Sequence, residues 1–295
     1  MDNRQLIKIT SGQGFIAALD QSGGSTPKAL KLYGIAESEY NNAFEMYDLI
    51  HEMRTRIIKS SAFNSGRILG AILFKDTMLK EIDNLPTAIY LWEKLQIVPF
   101  LKIDQGLLSS ENQSQLLKPI NDLKTSLELA KKNKVFGTKM RSLINGANNI
   151  GIKDLVDQQF DIGEEILSFG LLPIIEPEVD ITIPDKREAE DMLYNNIKRR
   201  LDRIETGKKV ILKLSLPEQD NFYEPLTQHP NILRIVALSG GFEKKIAVNK
   251  LKQNKNMIAS FSRALTEGLK SGFSKQEFEE QLDRTVQSIY EASLS

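Results

Sequence analysis

A lysine within an apolar segment is the residue of this sequence with the clearest chemical potential. Lys213 follows three aliphatic residues in the run at 210–214. A buried ammonium group is costly unless it is paired with a carboxylate or loses its proton. The amine is nucleophilic only after that loss, which burial and neighbouring cations favour. Lys213 is therefore a candidate for a Schiff base with a carbonyl substrate, and a strand-end lysine extending to solvent is the alternative.

Further charged side chains follow other apolar runs and would complete an acid–base site. They are Asp20, Lys102, Lys139, Arg141, Glu176 and Glu178. Carboxylates close to lysines can divide the work of general acid and general base between them. The alternative is that Glu176 and Glu178 only neutralise the lysines, and that Asp20 forms a turn before two glycines.

Small polar residues, glycines and an arginine follow the first run and the last two runs. They are Ser22, Ser25, Ser239, Gly240, Gly241, Ser260, Ser262 and Arg263. Glycines let backbone N–H groups approach a phosphate, and Arg263 would add paired hydrogen bonds. Helix capping is the alternative for Ser25. Two anion sites on either side of Lys213 indicate a bisphosphorylated sugar.

The elements that must bring these residues together are short apolar runs that alternate with helical patterns. The runs lie at residues 14–19, 68–74, 97–101, 135–137, 171–175, 210–212, 233–238 and 257–259. Such runs are typical of strands buried on both faces of a parallel sheet. Eight strand–helix units predict an α/β fold, the (β/α)8 TIM barrel, whose functional residues follow the carboxyl ends of the strands. An open doubly wound sheet is the alternative, although no glycine-rich nucleotide motif follows any run.

The predicted barrel is one domain spanning residues 1–295, with a C-terminal helix from about 275 to 291. The chain has no cysteine and two histidines, which excludes disulfides, iron–sulfur clusters, thiol nucleophiles and three-histidine metal sites. Its 39 basic and 39 acidic residues cancel, which argues against nucleic-acid partners. No apolar run approaches the length of a membrane span. We therefore expect a cytoplasmic protein without a membrane partner.

Seven sequence blocks resemble the class I, Schiff-base-forming fructose-bisphosphate aldolases, in particular their short bacterial form. The blocks are GFIAALDQSGGS at 14–25, PFLKID at 99–104, GTKMR at 137–141, PIIEPE at 173–178, LK at 212–213, LSGG at 238–241 and SFSRAL at 260–265. Each block is short, but together they follow the family's order over most of the chain. Two departures from the animal members are Ser262, where they have glycine, and Ala29, where they have arginine.

The resemblance implies a role for each matched residue. Lys213 would form the Schiff base, Glu176 would accept and donate protons during imine formation, and Asp20 would act as acid and base near the carbon–carbon bond that breaks. Lys139 would assist carbinolamine chemistry. The phosphate distant from the ketone would contact Ser22, Ser25 and Lys102, and the phosphate next to it would contact Ser239, Gly240, Ser262 and Arg263.

The implied activity is the reversible cleavage of fructose 1,6-bisphosphate to dihydroxyacetone phosphate and glyceraldehyde 3-phosphate, in glycolysis and gluconeogenesis. No metal or other cofactor is implied. The alternatives are a Schiff-base aldolase or transaldolase for another ketose phosphate, such as tagatose 1,6-bisphosphate, and a barrel that binds sugar phosphates without turnover. Small sugar phosphates are the expected partners, and the outer helices of the barrel would offer interfaces for a homo-oligomer.

Overall fold

Eight parallel strands wrap into a barrel in the computed structural model, which describes residues 2–295. The strands are β1 (Phe15–Leu19), β2 (Ile68–Leu73), β3 (Val98–Lys102), β4 (Gly137–Ile144), β5 (Leu172–Val179), β6 (Val210–Ser215), β7 (Ile232–Leu238) and β8 (Met257–Ala259). Each strand pairs in parallel with the next one in the sequence. The N–H of Ala18 donates to the carbonyl of Phe261 at 3.2 Å and links β1 to the segment after β8. The predicted TIM barrel is confirmed, and the open sheet is not formed.

One helix precedes β1, two follow β8, and the others lie between successive strands. They are α1 (Asn3–Ser11), α2 (Thr26–Tyr33), α3 (Ala43–Ile58), α4 (Lys75–Leu79), α5 (Thr87–Leu95), α6 (Leu123–Lys132), α7 (Asn149–Ser168), α8 (Lys186–Leu201), α9 (Lys244–Lys252), α10 (Arg263–Thr266) and α11 (Lys275–Ala292). Short strands at Glu81–Ile82 and Leu85–Pro86 form a hairpin, and Ser114–Gln115 pairs antiparallel with β4. Within residues 2–295, every helix is too short or too polar to cross a membrane.

Local sequence signals set several helix ends. Helix α2 ends at Gly34, whose φ of 98° is readily available only to glycine. Helix α11 begins with a capping box, in which the Ser274 hydroxyl accepts from the N–H of Glu277 at 3.2 Å. The Glu277 carboxylate in turn accepts from the N–H of Ser274 at 2.8 Å.

Alternate residues of the barrel strands belong to two different hydrophobic clusters. In β1, Phe15, Ala17 and Leu19 pack in the larger cluster that includes the helices, whereas Ile16 and Ala18 pack in a smaller one. The smaller cluster also holds Ile72, Val98, Phe100, Leu172, Ile174, Ile211, Val236 and Ile258, and it fills the barrel interior. The period-two pattern therefore gives these strands an inward face.

Two strand boundaries inferred from apolar runs are wrong. The run at 135–137 largely precedes β4, which begins at Gly137 and continues through polar residues to Ile144. The run at 171–175 is only the first part of β5, so Glu176 and Glu178 lie within the strand and not after it. The reason for the missed carboxyl ends is the same in both strands. The strand continues after its inward positions have passed from the apolar core to a polar cavity.

Candidate active site

The inward face of several strands changes from apolar to charged at a similar height in the barrel. Asp20 follows the inward Ala18 by two residues, and the same step leads from Phe100 to Lys102, from Ile174 to Glu176 and from Ile211 to Lys213. Because side chains alternate with period two, these charged groups continue the inward rows. Lys139 and Arg141 lie on β4 between them. Residues far apart in the sequence thus meet at the carboxyl end of the barrel.

A cavity of about 560 Å³ opens at this end. All but one of the site residues predicted from the sequence line it: Asp20, Ser22, Ser25, Lys102, Lys139, Arg141, Glu176, Glu178, Lys213, Ser239, Gly240, Ser260, Ser262 and Arg263. The exception is Gly241, which does not line the cavity but lies beside Arg263. Six cationic side chains and four carboxylates line the cavity, so its charged lining suits an anionic molecule.

The deepest charged groups form one chain of ion pairs. Lys139 Nζ lies 2.7 Å from Asp20 Oδ2 and 2.9 Å from Glu176 Oε2. The other oxygen of the same carboxylate, Glu176 Oε1, lies 3.2 Å from Lys213 Nζ. None of these four side chains is more than 9% exposed. Two amines therefore share one carboxylate out of water, which is a short path for moving a proton between them.

Electrostatics keep Asp20, Glu176 and Lys139 charged despite their burial. Burial alone would raise the pKa of Asp20, but Lys139 and Lys213 outweigh it and hold that pKa well below its usual range. The same two lysines hold the pKa of Glu176 below its ordinary value against the effect of burial. Burial opposes the charge of Lys139, yet Asp20 and Glu176 raise its pKa far above the usual value. We infer that Lys139 is a fixed cation that orients two carboxylates.

Two further ion pairs line the cavity. Lys102 Nζ donates to Asp104 Oδ1 at 2.6 Å and to the Asp104 carbonyl at 3.1 Å. Arg141 Nε donates to Glu178 Oε2, and this contact raises the pKa of Arg141 although burial acts in the opposite direction. Charge-assisted hydrogen bonds of this kind hold side chains in fixed orientations.

The glycine-rich segment after β1 folds into a tight turn. The Ser25 hydroxyl donates to the carbonyl of Ser22 at 2.9 Å and accepts from the N–H of Ser22 at 3.0 Å. It makes no capping bond to the helix that follows, so the alternative of a helix cap for Ser25 is not realised. The exposed Lys28, on the first turn of that helix, also lines the cavity.

The segments after β7 and β8 line another part of the opening. Gly240 has a φ of 59°, and a Cβ atom there would lie 2.8 Å from Ile181 Cγ2, so only glycine fits without rearrangement. The Ser260 hydroxyl is buried and has no hydrogen-bond partner among the described residues. Arg263 is exposed and forms no ion pair within residues 2–295. The Ser260 hydroxyl and the Arg263 guanidinium are therefore free hydrogen-bond donors at positions where the sequence predicts phosphate binding.

Sequence reasoning missed a network behind these segments. Arg54 on α3 is fully buried, and its Nη2 donates to the Gln21 carbonyl at 2.6 Å and to Gln21 Oε1 at 3.1 Å. Its Nη1 donates to Thr77 Oγ1. Gln21 Nε2 donates to Ser262 Oγ at 2.7 Å and so joins the segments after β1 and β8. The only available signal was a charged residue on the apolar face of a predicted helix, next to Met53 and Ile57.

No cluster of three or more acidic or histidine side chains within residues 2–295 has the geometry to hold a metal ion. The carboxylates of the cavity are paired with lysines and an arginine instead, as described above.

Comparisons with known proteins agree with this architecture. No family model matches the chain. The chain is 53% identical over 295 residues to fructose-bisphosphate aldolase class 1 of Clostridium acetobutylicum, covering 100% of both sequences. It is 51% identical over 294 residues to the protein of the same name from Synechocystis, covering 100% of this chain and 98% of the relative. A solved structure of Plasmodium falciparum fructose-bisphosphate aldolase superposes with a TM-score of 0.74 at 17% identity, covering 98% of this chain and 92% of that one, which supports the fold.

Proposed function

The chain belongs to the class I fructose-bisphosphate aldolases, and from this premise we propose how its residues carry out the reversible cleavage of fructose 1,6-bisphosphate. The observation that carries the proposal is the buried triad in which Glu176 lies between Lys139 and Lys213. It supports a lysine nucleophile with a carboxylate that exchanges protons with it.

Schiff-base formation begins at Lys213. Its Nζ passes a proton to Glu176 Oε1, 3.2 Å away, and the neutral amine adds to the C2 ketone of the substrate. The carbinolamine hydroxyl then takes a proton from the Glu176 carboxyl and leaves as water. The product is a protonated imine on Lys213. Lys139 holds the carboxylate in place through its 2.9 Å contact to Glu176 Oε2 during these transfers.

Cleavage of the C3–C4 bond uses the imine as an electron sink. Asp20 accepts the proton of the C4 hydroxyl, the bond breaks, and its electron pair moves into an enamine on Lys213. Glyceraldehyde 3-phosphate leaves, a proton returns to C3, and hydrolysis of the imine releases dihydroxyacetone phosphate. Asp20 suits this role because its low pKa keeps it ionised as a base at neutral pH, where its contact to Lys139 fixes its position.

The two phosphates of the substrate are assigned to different sets of segments around the opening. Arg263 and the segments containing Ser239, Gly240 and Ser262 would take the phosphate next to the ketone, because free donors and a tight glycine turn meet there. Ser22, Ser25 and Lys102 would take the distal phosphate. Arg141 and Glu178 would orient the hydroxyls between them.

We further propose that residues 1–295 act as one domain in the cytoplasm, and that sugar phosphates are its small-molecule partners. A homo-oligomer formed through the outer helices is consistent with exposed apolar side chains such as Ile150 on α7 and Ile246 on α9. Size-exclusion chromatography with light scattering tests the assembly.

Borohydride trapping tests the assignment of the nucleophile. We expect reduction in the presence of dihydroxyacetone phosphate to leave a stable adduct on Lys213, identified by peptide mass spectrometry. Lys213→Ala should lose turnover and trapping but keep its fold, since Lys139 still pairs with Glu176 in the variant. An adduct on a different lysine, or activity that EDTA abolishes, would reject the mechanism. Unfolding of Lys213→Ala would show instead that the lysine has a structural role.

A further inference from the structure

Strands β5 and β6 are paired only up to the residues that precede Glu176 and Lys213. Strand β5 pairs with β4 along its whole length, from Leu172 to Val179. It pairs with β6 only at Ile174–Ile211 and Ile175–Leu212. Strand β6 does not end at this point, because it remains paired with β7 as far as Ser215. The unpaired part contains Glu176 on one strand and Lys213 on the other.

A side chain replaces the missing main-chain pairing beyond these two residues. Ser215 Oγ accepts from the N–H of Val179 at 2.9 Å and donates to the carbonyl of Val179 at 2.7 Å. Ser215 is 1% exposed and Val179 is fully buried, so water does not compete for these bonds. Main-chain pairing between the two strands thus ends next to Glu176 and Lys213, and the Ser215 hydroxyl joins the strands again beyond these residues.

A second buried side chain holds the same part of β5 from outside the barrel. Gln159 on α7 is fully buried, and its Oε1 accepts from the N–H of Glu176 at 2.9 Å. Its Nε2 has no partner among the described residues, so this buried amide is held on its acceptor side only. The backbone of Glu176 is therefore fixed by a helix, and the end of its strand by Ser215.

We propose that Ser215 is a positioning residue, whose hydroxyl fixes the active-site end of β5 against β6 and so sets the distance between the Glu176 carboxylate and the Lys213 amine. Gln159 assists by fixing the Glu176 backbone. This inference rests on the proposed function, in which those two groups exchange protons. Main-chain pairing between β5 and β6 ends at Ile175 and Leu212, which leaves an opening between the two strands next to Glu176 and Lys213. The Ser215 hydroxyl keeps that opening at a constant width.

The matched experiment compares Ser215→Ala with Ser142→Ala. Ser142 on β4 is also fully buried, but its hydroxyl has no hydrogen-bond partner among the described residues, so its removal should leave kcat unchanged. Ser215→Ala should lower kcat about 10- to 100-fold, because small displacements of reacting groups have effects of that size. KM should change little, since the phosphate contacts lie on other segments. Ser215→Thr keeps the hydroxyl and should therefore retain most of the wild-type kcat.

A pH profile separates positioning from general destabilisation. Lys139 and Arg141 on β4, Lys213 on β6 and Asp20 after β1 are the charged groups that face Glu176. Of these contacts, only that to Lys213 crosses the opening between β5 and β6. In Ser215→Ala the acidic limb of the kcat profile should therefore move to higher pH, as the carboxylate loses part of its stabilisation by Lys213. Ser142→Ala should keep the wild-type profile.

The outcomes distinguish this inference from the proposed function. If wild-type protein gives no borohydride adduct on Lys213, the proposed function fails. If the adduct forms but Ser215→Ala matches Ser142→Ala in kcat and pH profile, the Ser215 inference alone is overturned. Should Ser215→Ala not fold, Ser215→Cys replaces it, because a thiol is a weaker donor and acceptor and should give an intermediate loss. A Ser215→Cys variant with wild-type kcat and pH profile would equally reject the inference.

Discussion

Replacing Lys139 by methionine removes a buried cation that two carboxylates share. Lys139 is 3% exposed and contacts Asp20 at 2.7 Å and Glu176 at 2.9 Å. Removing one partner of a buried ion pair costs about 3–5 kcal/mol, because the remaining charge is left without compensation. Lys139 has two carboxylate partners, but the cost should stay in this range and not double, because Lys213 still faces Glu176 at 3.2 Å. A carboxyl group can also take up a proton.

This loss of stability corresponds to a measurable decrease of the unfolding temperature. For a domain of this size, 1 kcal/mol corresponds to about 2 °C, so Tm should fall by about 6–10 °C at pH 7. Circular dichroism during heating measures this shift. Lys134→Met is the matched control, because it breaks an exposed Lys–Glu pair with Glu93, and such pairs contribute little to stability.

The pH dependence of the Tm difference between variant and wild type provides a second test. In the wild type the folded-state pKa values of Asp20 and Glu176 lie below their ordinary values. Their stabilisation is therefore present above about pH 4.5 and is lost as the pH falls through the folded pKa values. Without Lys139, burial raises these pKa values, so the folded variant binds protons more readily than the unfolded chain. The Tm difference from wild type should therefore be largest at pH 7 and shrink towards pH 5. Equal differences at both pH values, or a variant as stable as Lys134→Met, would refute the reasoning.

Three other substitutions test separate parts of the site. Glu176→Gln cannot accept a proton, and kcat should fall about 10²- to 10⁴-fold, with slow appearance of the trapped adduct; fast trapping would exclude Glu176 as the base. Arg263→Ala should raise KM for fructose 1,6-bisphosphate, and steady-state kinetics showing an unchanged KM would remove Arg263 from the phosphate site. Arg54→Lys cannot reach Gln21 and Thr77 together, and denaturant unfolding should show a loss of about 1–3 kcal/mol. Unchanged stability would mean that water replaces these bonds.

The pattern of apolar runs predicted the barrel because each run reports how its own segment is buried. A strand with both faces covered must be apolar throughout, and a helix on the outside needs one apolar stripe. The charged residues beyond the runs were recognisable for the same reason, since Lys213 and Glu176 interrupt segments that are otherwise apolar. The true ends of β4 and β5 were not, because inward positions become polar while the strand continues into the cavity.

Distances and partners were decided only by the tertiary structure. The sequence predicted that Lys139, Lys213 and Glu176 share one barrel end, but not that the two amines contact opposite oxygens of one carboxylate. That arrangement depends on strand register and barrel closure, which follow from packing between residues far apart in the chain. Arg54 reaches Gln21 across 33 positions, and Ser215 reaches Val179 across 36. Local composition determines which groups are buried, whereas the fold determines which buried group each one meets.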